Sequence, residues 1–449
     1  MRIESINNNL FIKNRQIVHW YKSKFYELER SSDGAILKLF YNSRQDAIEK
    51  LAEIGFPTSK DEEWKFTDIS PILNFEFLLG FKANNVILKQ DIEFAIIPNA
   101  VNIVFVNGIY APELSNLNLL PKGVIACNIL DSIQNYSNLI ESNSRFFEKD
   151  NAFVQLNTAF WQDGAFILVQ PGVDVEVPIQ LVFVSNGLSY PFVSHPRNVI
   201  IAQDSSQLKL IETYVGISES YYMTNSVTKI FIGKESHVEH NKIQIEATNG
   251  FHIENRVVRL SKLSRYAANS ISLGSSLARN ELNINIDGEK AKCGLKGLTI
   301  GTDKQVLDDH TSIIHSGANS TSDEVYKFIL SDLSHGIFNG KIVVLPNAQR
   351  TDSRQTNRTL VLSDDAKINT KPQLEIFNDD VKCTHGATVG KLDDDQIFYL
   401  RSRGISLEEA KFMLINSFAS EILKSISNHE VHNFAQKFIA NKLKKLISL

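Results

Sequence analysis

Short apolar runs rich in β-branched residues dominate the chain from about residue 98 to about residue 390. They include residues 101–106, 179–184 and 227–232, and Gly, Asn, Asp and Ser lie between them. Residues 282–286 alternate apolar and polar side chains, which is the period of a strand with one buried face. Helical periodicity is almost absent over most of this stretch. The pattern therefore predicts a mainly β protein and argues against an alternating βα architecture.

Two all-β architectures fit these runs. A sandwich or barrel would be long at this size, whereas a parallel β-helix stacks short strands as successive rungs around one apolar interior. The spacing of the runs is irregular and no exact repeat is found. Periodicity by itself therefore gives the β-helix only a small advantage.

The two ends of the chain have helical patterns. Near the N-terminus, Ser43 is a predicted N-cap, Ile48 and Leu51 fall on one helical face, and Gly55 ends the helix. Near the C-terminus, Ser406 and Glu409 form a capping-box signature. The predicted layout is a helical domain over residues 1–97, a β-helix core over 98–400 and a helical domain over 401–449.

Net charge and the absence of long apolar segments argue against nucleic-acid binding, membrane insertion and secretion. The chain of 449 residues has 47 basic and 51 acidic side chains and a formal net charge of −4, which argues against a general nucleic-acid-binding surface. An apolar run of about 18 residues, as a membrane span requires, is absent from the sequence. The N-terminal residues lack the apolar segment of a secretory signal. We therefore expect a cytoplasmic protein with no nucleic-acid or membrane partner.

Cysteine usage and motifs limit the chemistry that the chain can perform. Cys127, Cys293 and Cys383 are few and far apart, which fits a reducing compartment and excludes a four-cysteine site from this chain alone. The ATP-binding P-loop, the G-x-S-x-G elbow and the H-E-x-x-H zinc helix are all absent. His237 and His240 would point to opposite faces of a strand, so they do not predict a shared metal.

The best candidate site is Cys383 with His385. Their i, i+2 spacing places both side chains on one face of a strand. Thiolate and imidazole ligate zinc and iron–sulfur centres. Two ligands do not complete such a site, so a partner or substrate would supply the rest. The alternative is a buried cysteine near a hydrogen-bonded histidine.

Longer motifs around this pair resemble a known family. Residues 370–376 (TKPQLEI), 379–390 (DDVKCTHGATVG) and 398–405 (FYLRSRGI), together with residues 62–67 (EEWKFT), are similar to the SufB/SufD family of iron–sulfur cluster assembly scaffold proteins. The C-x-H-G-A-T-V-G form looks like the SufD type. Leu400 stands where SufB-type chains carry a cysteine.

The resemblance implies a fold and a set of partners. The expected fold is a right-handed parallel β-helix between helical terminal domains, and the expected role is a non-catalytic scaffold subunit. A SufB-type paralogue would join the end of the β-helix, and a SufC-type ABC ATPase would dock on the C-terminal helices. The apolar stripe expected to dock it consists of Leu407, Leu414, Phe418 and Ile422. The sequence leaves open whether the isolated chain forms a homodimer.

The resemblance also implies cofactors. A nascent iron–sulfur cluster would form where the SufB-type and SufD-type chains meet, with His385 and Cys383 as ligands from this chain and a cysteine from the partner. Reduced flavin in the complex is a weaker implication. The alternatives are a cytoplasmic β-helix carbohydrate-active enzyme and a purely structural β-helix protein, and co-purification of an ATPase would separate them from the scaffold.

Overall fold

The computed structural model describes residues 2–31, 40–79, 87–144, 151–187, 190–217 and 220–447. Within these ranges the α-helices are α1 (Arg2–Ser31), α2 (Tyr41–Ile54), α3 (Lys89–Ile92), α4 (Ile129–Ser144), α5 (Ala152–Phe160), α6 (Asp394–Ser402), α7 (Leu407–Leu423) and α8 (His429–Ile447). Short 3-10 helices occur at Glu62–Trp64, Ile72–Asn74 and Glu93–Ala95.

The strands of the described residues lie between the N-terminal helices and α6. They are β1 (Leu78–Leu79), β2 (Val101–Val106), β3 (Ile109–Tyr110), β4 (Val124–Asn128), β5 (Ala165–Val169), β6 (Ile179–Ser185), β7 (Phe192–Ser194), β8 (Arg197–Ala202), β9 (Gln207–Gly216), β10 (Tyr222–Ile232), β11 (His237–Ile245), β12 (Gly250–Leu260), β13 (Arg265–Ser272), β14 (Leu277–Ile286), β15 (Lys292–Gly301), β16 (Val306–His315), β17 (Thr321–Leu330), β18 (His335–Val344), β19 (Thr351–Val361), β20 (Lys367–Ile376) and β21 (Val381–Gly390).

Two sheets built from alternate strands form the core. The even sheet runs in the order β20-β18-β16-β14-β12-β10-β8-β5-β4, and the odd sheet runs β21-β19-β17-β15-β13-β11-β9-β6-β2-β3. From β8 onwards the neighbours in both sheets are parallel and in register, so that Leu277 lies beside Val306 and Val306 beside His335. The chain therefore passes from one sheet to the other and back in each rung. This β-solenoid with helical terminal regions confirms the predicted β-helix fold.

The interior between the sheets holds the main core. Alternate residues of every rung point into it, among them Leu210, Ile230, Val258, Ile284 and Phe328, all fully buried. The predicted alternation of residues 282–286 is confirmed, because Leu282, Ile284 and Ile286 all belong to this core.

A turn repeat that the sequence analysis did not find connects even strands to odd strands. The turn has four residues, as at 203–206, 233–236 and 261–264. Its third residue has a left-handed backbone, with φ of 60° at Ser205 and Glu235 and 59° at Leu263. Its fourth residue is small and buried, as at Ser206, Ser236, Ser264, Ala291, Ser320 and Thr351. Ser264 Oγ donates to the Ser261 carbonyl over 2.7 Å, which closes the turn. Because only a small side chain and a backbone angle repeat, the sequence signal is weak.

Helices cover the outer faces of both sheets. Apolar side chains of α1, α2 and α5, such as Phe25, Leu51 and Phe160, pack with Phe251 and Leu277 of the even sheet. On the other side, α7 and α8 bury Ile415, Ala419, Ile422, Val431 and Ile439 against Ile243, Ile271 and Ile329 of the odd sheet. The cross-section is therefore helices, sheet, interior, sheet and helices.

Three local predictions can be compared with the structure. Ser406 is the N-cap of α7, and its Oγ accepts from Glu409 N over 3.2 Å, as predicted. Ser43 is not an N-cap, because α2 begins at Tyr41 and Ser43 Oγ donates to the Phe40 carbonyl. Helices α4 and α5 interrupt the region predicted to be nearly all β. Most residues of α5 are buried, so no amphipathic period marks it.

The segment of residues 62–67 is held against the outer face of the even sheet. The guanidinium of Arg279 lies 3.8 Å from the ring centroid of Trp64 and donates to the Glu63 carbonyl over 2.9 Å. The same group pairs with the buried Asp308 carboxylate over 2.6 Å, and Thr67 also hydrogen-bonds to Asp308. These contacts explain why this segment is distinctive in the sequence.

Replacement of Arg279 by Met should destabilise the protein strongly. It would remove one of the two charged partners of the buried Asp308 carboxylate and leave only His310, at 2.9 Å, so the free energy of unfolding should fall by about 3 kcal/mol. The matched control is Arg259→Met, since Arg259 pairs with Asp287 where both are partly exposed, and its loss should cost about 1 kcal/mol or less. Urea unfolding measures the stability of both variants. Equal losses of stability would contradict the role given to Arg279 in holding residues 62–67 and Asp308.

Candidate functional site

The last rung leaves one end of the solenoid open. Among the described strands, none pairs with the outer edge of β20 or of β21. Pro372 lies in β20. Proline has no backbone N–H to donate, so it is tolerated in an edge strand such as this one. At the opposite end the antiparallel strands β3 and β4 finish the sheets, and Leu117 and Leu120 pack against the interior core. The two ends of the solenoid are therefore different.

Cys383 and His385 lie at this open end, on the interior face of β21. In the register of β19 and β21, Ser353 lies beside Cys383 and Gln355 beside His385. Ser353 and Gln355 are buried in the solenoid, so the side chains one rung further point the same way. The structure thus brings the two residues to one face, as their spacing predicted. Their role as ligands stays a prediction.

The two side chains differ in exposure. Cys383 is half-buried and packs on the small apolar cluster of Ile342, Val344 and Ala348. His385 is exposed. Burial and then the nearby Asp352 carboxylate raise the pKa of the Cys383 thiol, although the Ser353 N–H opposes this. The thiol is thus neutral in the free chain, and metal binding there would release a proton.

Large apolar side chains are exposed at the ends of the last two strands and on the helix that follows them. Phe377, Val389, Phe398 and Tyr399 have 59%, 54%, 73% and 58% of their surface exposed. Phe377 and Val389 flank the end of the last rung, and Phe398 and Tyr399 lie on α6, which buries none of its residues. Several large apolar side chains exposed at or after the ends of the last two strands are a feature typical of a protein–protein interface.

Two columns of polar side chains run inward from the pair. Beneath Cys383, Ser353 Oγ lies 2.6 Å from Ser322 Oγ, which lies 3.0 Å from His315 Nε2. Beneath His385, Gln355 Nε2 donates to Glu324 Oε2 over 2.7 Å. These residues are about one rung apart in sequence, so sequence reasoning missed them. Only the register of the strands aligns them.

Glu324 is an unusual member of these columns. Burial raises the pKa of its carboxyl to about 7, and the Asp309 and Asp323 carboxylates add to this, although hydrogen bonds from Thr311 and Gln355 oppose it. The carboxyl therefore holds its proton to much higher pH in the folded chain than in the unfolded chain.

The residues predicted to dock an ATPase lie on α7 in different environments. Leu407 and Leu414 are half-buried. Phe418 is also half-buried, and Lys327 Nζ lies 4.3 Å from its ring centroid. Ile422 is 1% exposed and packs against the odd sheet, so its side chain serves the fold. Leu407, Leu414 and Phe418 retain surface for a partner.

The described residues limit how a metal could be held at the site. In the described ranges, His, Cys, Asp and Glu side chains form no group of three that could hold a metal ion. The helices described include none that is both long and apolar enough to cross a membrane. Cys383 and His385 would therefore need further ligands from outside these residues.

Comparisons with known proteins identify the family. A model described as "SUF system FeS cluster assembly, SufBD core domain" matches residues 183–418, and one described as "SufBD protein N-terminal region" matches residues 13–181. The chain belongs to the SufBD family of iron–sulfur cluster assembly proteins. The resemblance found in the sequence is thus confirmed.

Relatives match this SufBD family protein over most of its length. It is 32% identical to an iron–sulfur cluster assembly SufBD family protein of Synechocystis sp., over 86% of this chain and 88% of that protein. It is 30% identical to the iron–sulfur cluster assembly protein SufD of Escherichia coli, over 85% and 88% of the two chains. A chloroplastic protein of Arabidopsis thaliana, ABCI7, is 30% identical over 89% and 85%.

The raised pKa of Glu324 predicts a pH-dependent stability. The folded state binds this proton more tightly than the unfolded state, in which the pKa of the carboxyl has its ordinary value of 4.5. The contribution is therefore complete below about pH 4.5 and is lost as the pH rises through about 7, a change of about 3 kcal/mol. Between about pH 5 and about pH 8 the wild type should therefore lose stability that Glu324→Gln does not lose, because the variant has no proton to release at this position.

Urea unfolding at the two pH values measures the effect. The control Glu375→Gln removes a carboxylate that is 44% exposed, so its pH dependence should follow that of the wild type. An unchanged pH dependence in Glu324→Gln would contradict the assignment.

Proposed function

We propose that this SufBD family protein is a non-catalytic scaffold subunit of a SufBCD-type complex. In this proposal its open solenoid end joins a SufB-type partner, and a nascent iron–sulfur cluster forms at the junction with His385 and Cys383 among its ligands. The observation that carries the proposal is that this pair lies at an end of the solenoid with unpaired strand edges and an apolar rim.

The open edges favour a β-solenoid partner. The outer edges of β20 and β21 present backbone N–H and C=O groups that another strand can pair with, as in β-augmentation. Phe377, Val389, Phe398 and Tyr399 supply apolar area around these edges. A partner with a similar open end would satisfy the backbone groups and bury the apolar surface together. The isolated chain offers the same surface for a homodimer.

The incomplete ligand set favours a cluster shared between chains. Cysteine and histidine both ligate iron in iron–sulfur centres, but a cluster takes about four protein ligands. Cys383 and His385 are two, and Leu400 stands where SufB-type chains carry a cysteine. The partner would supply the remaining ligands. A cluster held at a junction can be released when the chains move apart, which suits assembly and transfer.

The C-terminal helices are the proposed docking site for a SufC-type ABC ATPase. Leu407, Leu414 and Phe418 lie on α7 and keep part of their surface exposed, and Met413 between them is 44% exposed. Because α7 packs on the odd sheet, force applied there by an ATPase would reach β17 and, through β19, the strand β21 that carries Cys383 and His385. A cytoplasmic location and reduced flavin in the complex rest on the sequence resemblance alone.

Replacement of His385 by Ala tests the ligand role. In a complex co-expressed with SufB-type and SufC-type chains, cluster assembly should fall about 10-fold or more, because an iron ligand is lost. Thermal stability and ATPase binding should stay unchanged, since the side chain is exposed. Cys383→Ser should lower assembly less. The control is His19→Ala, an exposed histidine of α1.

Absorbance and circular dichroism of the cluster, normalised to the amount of complex, provide the measurement. Assembly at the wild-type rate by His385→Ala would overturn the ligand assignment.

A charged residue on α7 tests the ATPase site. Leu414→Glu should abolish co-purification of a SufC-type ATPase, because a carboxylate would be buried in the apolar interface without a partner. Leu119→Glu, at a residue that is 44% exposed and lies far from α7 in the sequence, is the matched control and should keep the ATPase bound. Pull-down of the ATPase by each variant is the measurement. Equal melting temperatures of the two variants show that both are folded. Retention of the ATPase by Leu414→Glu would place the docking surface elsewhere.

A further inference from the structure

The amide of Gln355 has one satisfied group and one unsatisfied group. Gln355 is 1% exposed, and its Nε2 donates to Glu324 Oε2 over 2.7 Å. Among the described residues no donor reaches its Oε1, although the atom is buried. A buried acceptor without a donor is uncommon in a folded protein and calls for an explanation.

The structure holds this amide in one place. Its Nε2 lies where the side chain of residue 340 would be, since a Cβ added at Gly340 would approach it to 2.1 Å. Glycine at this position of β18 therefore leaves room for Gln355. When Glu324 is ionised, its carboxylate can only accept a hydrogen bond, so the contact keeps Gln355 Nε2 on the side of Glu324 and leaves Oε1 without a partner.

His385 is the residue next to Gln355 in the following rung, and its side chain points the same way. Imidazoles that ligate metals generally donate their second N–H to an oxygen acceptor, which fixes the tautomer and the plane of the ring. Gln355 Oε1 is a buried oxygen acceptor without a donor, and it belongs to the residue beside His385 in the strand register.

We propose that Gln355 is a positioning residue for His385, its Oε1 accepting a hydrogen bond from one imidazole N–H so that the other nitrogen faces the iron site. The proposal rests on the ligand role given to His385 above. Glu324 acts one step further away by holding the amide of Gln355 in the required orientation.

The column beneath Cys383 is built differently. Ser353 Oγ is already engaged with Ser322 Oγ, and Ser322 with His315 Nε2. That chain of hydrogen bonds is closed among interior residues. The column of His385 thus contains a buried acceptor without a donor, whereas the Ser353 and Ser322 hydroxyls beneath Cys383 both have partners.

The tautomer of His385 gives a readout that does not depend on cluster assembly. The full chain, labelled with 15N in its histidines, is measured by NMR at alkaline pH, alone and with a SufB-type partner, and the His385 signals are assigned from their loss in His385→Ala. The wild type should show one predominant tautomer. Gln355→Met, which keeps the size but removes the acceptor, should show a mixture of tautomers.

Two further variants complete the design. Glu324→Gln offers both an acceptor and an N–H donor to the Gln355 amide, so it fixes the orientation less well and should give a smaller excess of one tautomer than the wild type. Glu324→Met removes the group that holds the Gln355 amide, so the amide can rotate and a mixture of His385 tautomers should appear. If Gln355→Met does not fold, Glu324→Met becomes the decisive variant. A tautomer ratio unchanged in the folded decisive variant would overturn the proposal.

Cluster assembly in the complex separates this proposal from the function on which it rests. Gln355→Met should lower assembly about 10- to 100-fold, as loss of a group supporting a ligand does, while Glu324→Gln should lower it less. Wild-type assembly by His385→Ala overturns the proposed function. Wild-type assembly by Gln355→Met, with His385→Ala defective, overturns only the positioning role.

Discussion

In-register stacking of each rung on the previous one is the constraint on which the rest of this structure depends. A parallel strand satisfies its backbone N–H and C=O groups only through the rungs on either side, so every solenoid faces a problem at its ends. This chain treats its two ends differently. The antiparallel strands β3 and β4 finish the sheets at the first end, whereas β20 and β21 leave the last end open. The candidate site lies at the end that is left open.

The same stacking decides what lies behind the site. In a parallel, in-register ladder the side chains of one column point the same way, rung after rung, so a polar side chain in the interior finds its partner in the next rung. Ser322 with Ser353 and Glu324 with Gln355 follow this rule. Cys383 and His385 are the next members of these columns, and they are accessible because no rung of the described chain follows them. The site is in this sense the exposed end of the interior.

The helical regions support this arrangement from the sides. The N-terminal segment reaches along the even sheet to its last strand, where Glu62 pairs with Lys371 over 2.5 Å. The C-terminal helices cover the odd sheet and contact it through a continuous apolar layer. Both terminal regions thus hold the outer faces of the sheets that carry the open end. Helix α7 packs on β17, and β19 lies between β17 and β21, which carries Cys383 and His385.

The sequence by itself determined the local features, because these depend on neighbouring residues. The alternation at residues 282–286, the cap at Ser406 and the common face of Cys383 and His385 all follow from spacing along one strand or helix. The tertiary structure alone decided which rungs lie side by side, and hence that Gln355 lies beneath His385 and Ser353 beneath Cys383. It also decided that Ile422 is buried by the odd sheet and that α5 is surrounded by apolar neighbours. The physical reason is that register and burial are properties of contacts between distant segments, and the small residues that set the turns repeat too weakly to reveal them.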